Sequence, residues 1–283
     1  MATTQRIWFN GSLVTDPTQG IISPIDHGLV VGDGVFEALK VEAAGAFAVT
    51  RHLERLSRSA AALGLPEPDH DACRAGIDAV LAGREWELGK IRITLTGGAG
   101  PLGSGAAWGP GTLIVAAEAV DPPAPETRII TLPWTRNLSG AMTGVKTTSY
   151  GENVRGLAFA EERGATEGIF ANTSGYLAEG TGSNIFLVFG DQVVTPPLTA
   201  GILDGVTRAL VIRWWNEQAA LEVVERDLSV VEAQQADEVF ITSSTRDVQA
   251  VTSWDDHDFP AGDVTRAVAQ CFAAGWQAEL DPR

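Results

Sequence analysis

The sequence predicts an α+β protein of two subdomains. Three observations carry that reading. Short β-rich runs are interspersed with helical ones along both halves of the chain. A proline-rich polar stretch, DPPAPET at 121–127, is the best linker. The 283 residues, 45% hydrophobic, are enough for two modest cores. The expected division is a small α/β first domain over 1–120 and a larger second domain over 121–283.

The elements follow in order. RIWFNGSLV (6–14) reads as a strand turning at Asn10-Gly11, and GVFEALKVEAAGAFAVT (34–50) as strands with turns. RHLERLSRSAAALGL (51–65) places Leu53, Leu56, Ala60 and Leu63 on one helix face, with Gly64 to stop it. DACRAGIDAVLAG (71–83) is a second helix. KIRITLTGG (90–98) and GTLIVAAEAV (111–120) are strands around a glycine-rich loop, 97–111. The second half opens with the strand RIITLPW (128–134), followed by a helix over about 151–163. Residues 167–197 read as three strands turning at 173–175 and 190–191. TRALVIRWWNEQA (207–219) is a helix, EVFITSST (238–245) a strand with a polar end, and DVTRAVAQCFAAGWQAEL (263–280) a closing helix.

Composition excludes several functions. A net charge of −16 repels nucleic acid and anionic membranes. No apolar run is long enough to span a bilayer, and residues 1–14 lack the pattern of a secretion signal. Cys73 and Cys271 stand far apart, and the four histidines form no ligand pair, so no metal site is expected and a reducing cytoplasm is.

Lys146 follows Gly-Val among small and hydroxylated residues. Most loop lysines are solvated cations; a desolvated one forms Schiff bases with carbonyls. Glu179 follows an apolar run and precedes Gly-Thr-Gly-Ser-Asn. It is either a strand ending in a tight turn or a carboxylate able to hold a proton on a ring nitrogen. Val206 and Thr207 open a helix, where free amides suit a phosphate, though plain capping explains them too. Ser244 and Thr245 offer a second hydroxyl-bearing turn. Arg55 has a register different from Leu53 and Leu56. Alone it would be a solvated residue; with neutral donor loops it supplies the fork a phosphate wants. Together these groups match the aldehyde, pyridinium and phosphate of pyridoxal phosphate (PLP).

The ordered set GDGVFEALKV (32–41), RHLERL (51–56), Lys146, EGTGSNIF (179–186), TPPL (195–198), GVTR (205–208) and the hydroxyl loop at 242–245 resembles the class IV, or fold-type IV, PLP-dependent enzymes. That group includes branched-chain and D-amino-acid aminotransferases, (R)-selective amine transaminases and aminodeoxychorismate lyases. The resemblance covers nearly the whole chain. It implies a small α/β domain, a larger domain with a β-barrel-like core, a cofactor in the cleft and a homodimer. Lys146 would bind the aldehyde and shuttle the proton between substrate Cα and cofactor. Glu179 would pair with the pyridine nitrogen. Arg55, Val206, Thr207 and Ser244 would hold the phosphate, with Thr245 nearby. Leu203 would pack on the ring, and Tyr150 resembles the tyrosine that contacts the ring oxygen.

Alternation in GVFEALKV puts Phe36, Ala38 and Lys40 on one face, which in the family lines the substrate pocket, and Glu37 on the other. Leu102 and Ser104 stand where D-amino-acid enzymes carry an Arg-x-His carboxylate trap. Arg92 and the Trp134–Arg136 pattern resemble branched-chain enzymes, but Val30 and Val31 replace their pocket aromatics. Arg92 and Arg246 are the candidate carboxylate anchors. The expected activity is exchange of an amino group between a small-molecule donor and a 2-oxo acid, the donor leaning towards D-amino acids and possibly (R)-amines. Aminodeoxychorismate lysis comes second and branched-chain L-amino acid transamination third. A PLP binder without turnover is the reading from another class.

Overall fold

The structure, a computed structural model, describes residues 5–16, 18, 20–218 and 222–283. Residue 219, the predicted end of one helix, and residues 1–4, before the first strand, lie outside that set. The chain forms two compact units. One takes the residues up to Pro122 together with Val145–Ser149 and Glu279–Arg283; the other takes Pro123–Gly144 and Tyr150–Ala278. Lys146 therefore belongs to the first unit, although it follows the linker in the chain.

The first unit contains β1 (Arg6–Phe9), β2 (Ser12–Leu13), α1 (His27–Val30), β3 (Gly34–Glu42), β4 (Gly45–Ala46), α2 (Val49–Leu63), α3 (His70–Leu81), β5 (Gly89–Thr96) and β6 (Thr112–Ala119). Its sheet runs β2-β1-β6-β5-β3-β4, antiparallel throughout. Asn10 and Gly11 both take positive φ, the backbone a two-residue hairpin needs, and join β1 to β2. One face of β3, through Val35, Leu39 and Val41, packs with Leu53, Leu56 and Ala60 of α2 and with Ile77 and Val80 of α3. Gly64 ends α2 in the left-handed conformation.

The second unit contains β7 (Glu126–Arg136), α4 (Gly151–Glu161), β8 (Glu167–Asn172), β9 (Leu177–Gly180), β10 (Asn184–Phe189), β11 (Gln192–Thr195), α5 (Val206–Gln218), β12 (Val223–Glu225), α6 (Val230–Ala233), β13 (Glu238–Ser243), β14 (Asp247–Trp254), β15 (His257–Asp258) and α7 (Asp263–Ala278). The sheet order is β12-β11-β10-β13-β14-β7-β8-β9, with β15 on β14. Three residues join β9, at one end of that order, to β10, near the other end, so the sheet must curl towards a barrel. The Gly180 N–H bonds the Ser183 carbonyl at 2.8 Å across the join. Its core includes Ile129, Ile169, Leu177, Ile185, Ile241 and Trp254.

The order of most elements matches the sequence reading. Residues 167–197 hold four strands, not three, because the chain breaks at Thr181–Ser183 between two short runs. Strand β14 was not anticipated. Its residues Asp247, Gln249 and Ser253 mask the apolar signal, and pairing with β13 and β7 overrides them.

Candidate active site

In the first unit the site is built on one stripe of α2. His52, Arg55 and Ser59 are spaced i, i+3 and i+7, beside the apolar stripe. All three are buried, Arg55 at 5% exposure, so it is not a solvated helix residue. His52 and Arg55 face Glu37, which is fully buried on β3. Arg55 donates from Nε to Glu37 Oε1 at 2.8 Å and from Nη2 to Oε2 at 2.6 Å. The His52 Nδ1 lies 2.6 Å from the same Oε2. Burial pushes the Glu37 carboxyl up, but the Arg55 charge and the hydrogen bonds from Arg55 and His52 outweigh it and hold it at about 2. Burial first, then the Arg55 and Lys146 charges, lower His52 from its ordinary value against the pull of Glu37.

Lys146 reaches this cluster by strand addition. The Phe36 N–H donates to the Lys146 carbonyl at 3.0 Å, and Thr148 N–H to Gly34 O at 2.8 Å. The Lys146 N–H donates to Ser59 Oγ at 3.4 Å. The side chain is half-buried, with Nζ 4.5 Å from the centroid of the Phe36 ring. The Arg92 guanidinium lies 3.7 Å from the same centroid, and its Nε donates to Thr94 Oγ1 at 3.2 Å. Arg92 is exposed and pairs with Ala38 across β3 and β5. Lys40, on the Phe36 face, is buried and bridges to Glu42 at 2.5 Å.

In the second unit Glu179 lies near the end of β9, buried. Its Oε2 accepts the Leu203 N–H at 2.9 Å, and its Oε1 lies 3.4 Å from Arg136 Nε. Arg136 also stacks on Phe170 at 4.2 Å. Asn184 donates to the Leu203 carbonyl at 3.1 Å. A Cβ on Gly205 would meet Asn184 Oδ1 at 1.9 Å, so this approach requires glycine. Tyr150 donates its hydroxyl to the Thr181 carbonyl at 2.8 Å. Burial, aided by the Glu179 charge and opposed by Arg136, pushes its phenol up to about 12, so it remains a neutral donor. Trp134 is partly exposed and meets Phe159 edge-on at 5.5 Å.

Helix α5 starts at Val206, so the amides of Val206 and Thr207 fall in its first turn, where they have no intrahelical acceptor. Ser244, Thr245 and Arg246 form the turn between β13 and β14. Just before it, Thr242 Oγ1 and Ser243 Oγ are buried with no hydrogen-bond partner among the described residues. Thr242 and Ser243 are successive in β13 and point to opposite faces, so one of these hydroxyls at most, with the polar turn and the first-turn amides of α5, fits an anionic ligand such as the phosphate of PLP. Arg246 places Nη1 3.1 Å from Glu167 Oε2. Glu37, His52, Arg136 and Glu167 are absent from the sequence-derived set of site residues. A carboxylate inside an apolar strand, as in GVFEALKV and EGIF, was the available signal for two of them.

Taken by itself, the first unit holds a buried arginine–glutamate pair beside a lysine, and the second holds a strand-end carboxylate and two donor loops. Residues 34–254 match the family described as amino-transferase class IV, and the chain belongs to it. It is thus a PLP-dependent aminotransferase of the fold-type IV group. It is 31% identical over 277 residues to a putative branched-chain-amino-acid aminotransferase of Methanocaldococcus jannaschii, covering 94% of this chain and 95% of that one. It is 27% identical over 260 residues to the D-alanine aminotransferase of Bacillus licheniformis, covering 91% of each. The crystal structure of the branched-chain aminotransferase of Thermoproteus uzoniensis with norvaline superposes with a TM-score of 0.89 at 25% identity, covering 95% of this chain and 93% of that one. No helix among the described residues is long and apolar enough to cross a membrane, and no group of candidate metal ligands occurs among them.

Proposed function

We propose that the enzyme transfers the amino group of an aliphatic L-amino acid of the branched-chain type to a 2-oxo acid. One observation carries the choice of an amino acid as donor, the branched-chain L type being taken from the similarity to the Methanocaldococcus and Thermoproteus proteins: the Lys146 ammonium and the exposed Arg92 guanidinium share the Phe36 ring, 4.5 and 3.7 Å from its centroid. An amino group reacting near Lys146 would then have a cation for its carboxylate nearby, with an aromatic surface between. That favours amino acids over simple amines. PLP, when bound, supplies the electron sink that stabilises the carbanion at Cα. The chain's own residues do the rest. Lys146 would hold the cofactor aldehyde and move the Cα proton. Glu179 would accept a hydrogen bond from the ring nitrogen. Arg55, the first-turn amides of α5, Ser244 and Thr245 would hold the phosphate, and Leu203 and Tyr150 would contact the ring. Arg92 is preferred to Arg246 as anchor because Arg246 faces the buried Glu167.

A second reading, D-amino acid transamination, is favoured by Val30 and Val31, which are half-buried and exposed where branched-chain enzymes carry aromatics. The relatives include both activities. The test is the absorbance of purified holoenzyme mixed in turn with L-leucine, D-alanine and (R)-1-phenylethylamine, without acceptor. Conversion to the aminated cofactor by L-leucine alone is expected. Conversion by D-alanine and not L-leucine would replace the first reading with the second. Conversion by the amine would remove Arg92 from the recognition step, and no conversion by any would turn the reading towards lyase chemistry.

A further inference from the structure

Glu167 opens β8 with its side chain fully buried, and it has no place among the residues assigned above. Its Oε1 accepts the Thr181 N–H at 2.8 Å, the Thr181 hydroxyl, and the Gly168 N–H at 3.2 Å. Its Oε2 accepts the Ser183 hydroxyl at 3.0 Å and faces Arg246 Nη1 at 3.1 Å. Apart from Gly168, these donors come from two places: the break between β9 and β10, and the turn between β13 and β14. Such a buried carboxylate is tolerable only because every lone-pair direction is used.

The break that Glu167 holds is the point on which two cofactor-facing residues depend. Thr181 lies two residues beyond Glu179, and its carbonyl accepts both the Tyr150 hydroxyl at 2.8 Å and the Asn153 amide at 2.5 Å. A Cβ on Gly180 would stand 3.0 Å from the Glu167 carboxyl carbon and 2.3 Å from Ser183 Oγ, so the carboxylate packs directly on this backbone. Arg246 follows Ser244 and Thr245 in the second turn.

We propose that Glu167 is a positioning residue for transamination: through Thr181 it sets Glu179 and Tyr150, and through Arg246 it ties the Ser244–Arg246 turn to the same point. Arg246 then serves as a structural counter-charge and not as a substrate anchor. The inference rests on the reading that Glu179 meets the ring nitrogen.

The test is Glu167→Gln, which keeps one acceptor oxygen for Thr181 and removes the charge opposite Arg246. Folding is checked by circular dichroism. Three quantities are then read: PLP affinity of the apoprotein, the pH midpoint of the bound cofactor's visible absorbance, and kcat against KM. PLP affinity is expected to fall about tenfold, the size of one charge-assisted hydrogen bond. The pH midpoint should shift, and kcat should fall about 10- to 100-fold, as for slight misplacement of reacting groups, with KM for the donor little changed. A variant that loses thermal stability but keeps wild-type affinity, midpoint and kcat would show a merely structural role and overturn the proposal. Should Glu167→Gln not fold, Arg246→Gln and Thr181→Val each break one link; unchanged affinity and midpoint in both would also overturn it. Glu179→Gln is measured beside them. An unchanged midpoint there removes the ring-nitrogen reading itself, whereas a shift there with none in Glu167→Gln removes only this inference.

Discussion

At the scale of the residue, Arg55 has two assignments, one observed and one proposed. The resemblance gives it a phosphate to hold, but the structure also gives it Glu37, fully buried and doubly hydrogen-bonded by its guanidinium. Removing one member of a buried ion pair strands the other charge. Arg55→Ala is therefore expected to destabilise the protein by about 3–5 kcal/mol, as well as to loosen PLP. Urea unfolding of the apoprotein separates the two effects. Glu37→Gln added to Arg55→Ala should recover part of the stability and none of the PLP affinity. An apoprotein of Arg55→Ala that unfolds at the wild-type urea concentration would show that the pair contributes nothing.

At the scale of the element, α2 was legible as a helix and illegible as a site. Its leucine spacing shows in the sequence, whereas the second buried stripe, His52, Arg55 and Ser59, consists of residue types that ordinarily face water. What buries them is β3, whose Glu37 was read only as lying on the opposite face from Phe36. The same limit applies to Lys146. Its residue type and neighbours drew attention, but its addition to β3 spans about 110 residues of chain and leaves no local pattern. The cluster has a pH signature. Glu37 is held at about 2 against an ordinary 4.5, so it contributes about 3 kcal/mol that is present above pH 4.5 and lost as pH falls towards 2. His52 is lowered from 6.5, so below that pH the unfolded chain takes up a proton that the folded one refuses. Both effects act in one direction: the unfolded state binds more protons, and stability rises with pH. Urea midpoints should fall as pH drops below 6.5 from His52, and further below 4.5 from Glu37. His52→Asn should flatten the first decline; a wild-type profile already flat there would rule out a neutral, buried His52.

At the scale of the whole molecule, composition anticipated the binding problem better than it did the fold. Alternating strands and helices gave two α+β halves, yet residues 145–149 and 279–283 joined the first unit through contacts that no local pattern encodes. The net charge of −16, by contrast, is a property of the entire chain, and it opposes an anionic cofactor. The donors proposed for the phosphate, such as Arg55 and the first turn of α5, would act at hydrogen-bond range, whereas the acidic surface acts at a distance. The two are separable by salt, because the screening length shrinks from ~30 Å at 0.01 M to ~8 Å at 0.15 M ionic strength. Long-range repulsion is then removed while contacts at the site are largely spared. The rate at which PLP associates with the apoprotein, followed by stopped-flow absorbance, is accordingly expected to rise with added sodium chloride. The dissociation rate should change much less, since it is governed by short contacts. An association rate that falls with salt would mean that the local cations, and not the −16 of the chain, dominate the field that the approaching phosphate meets.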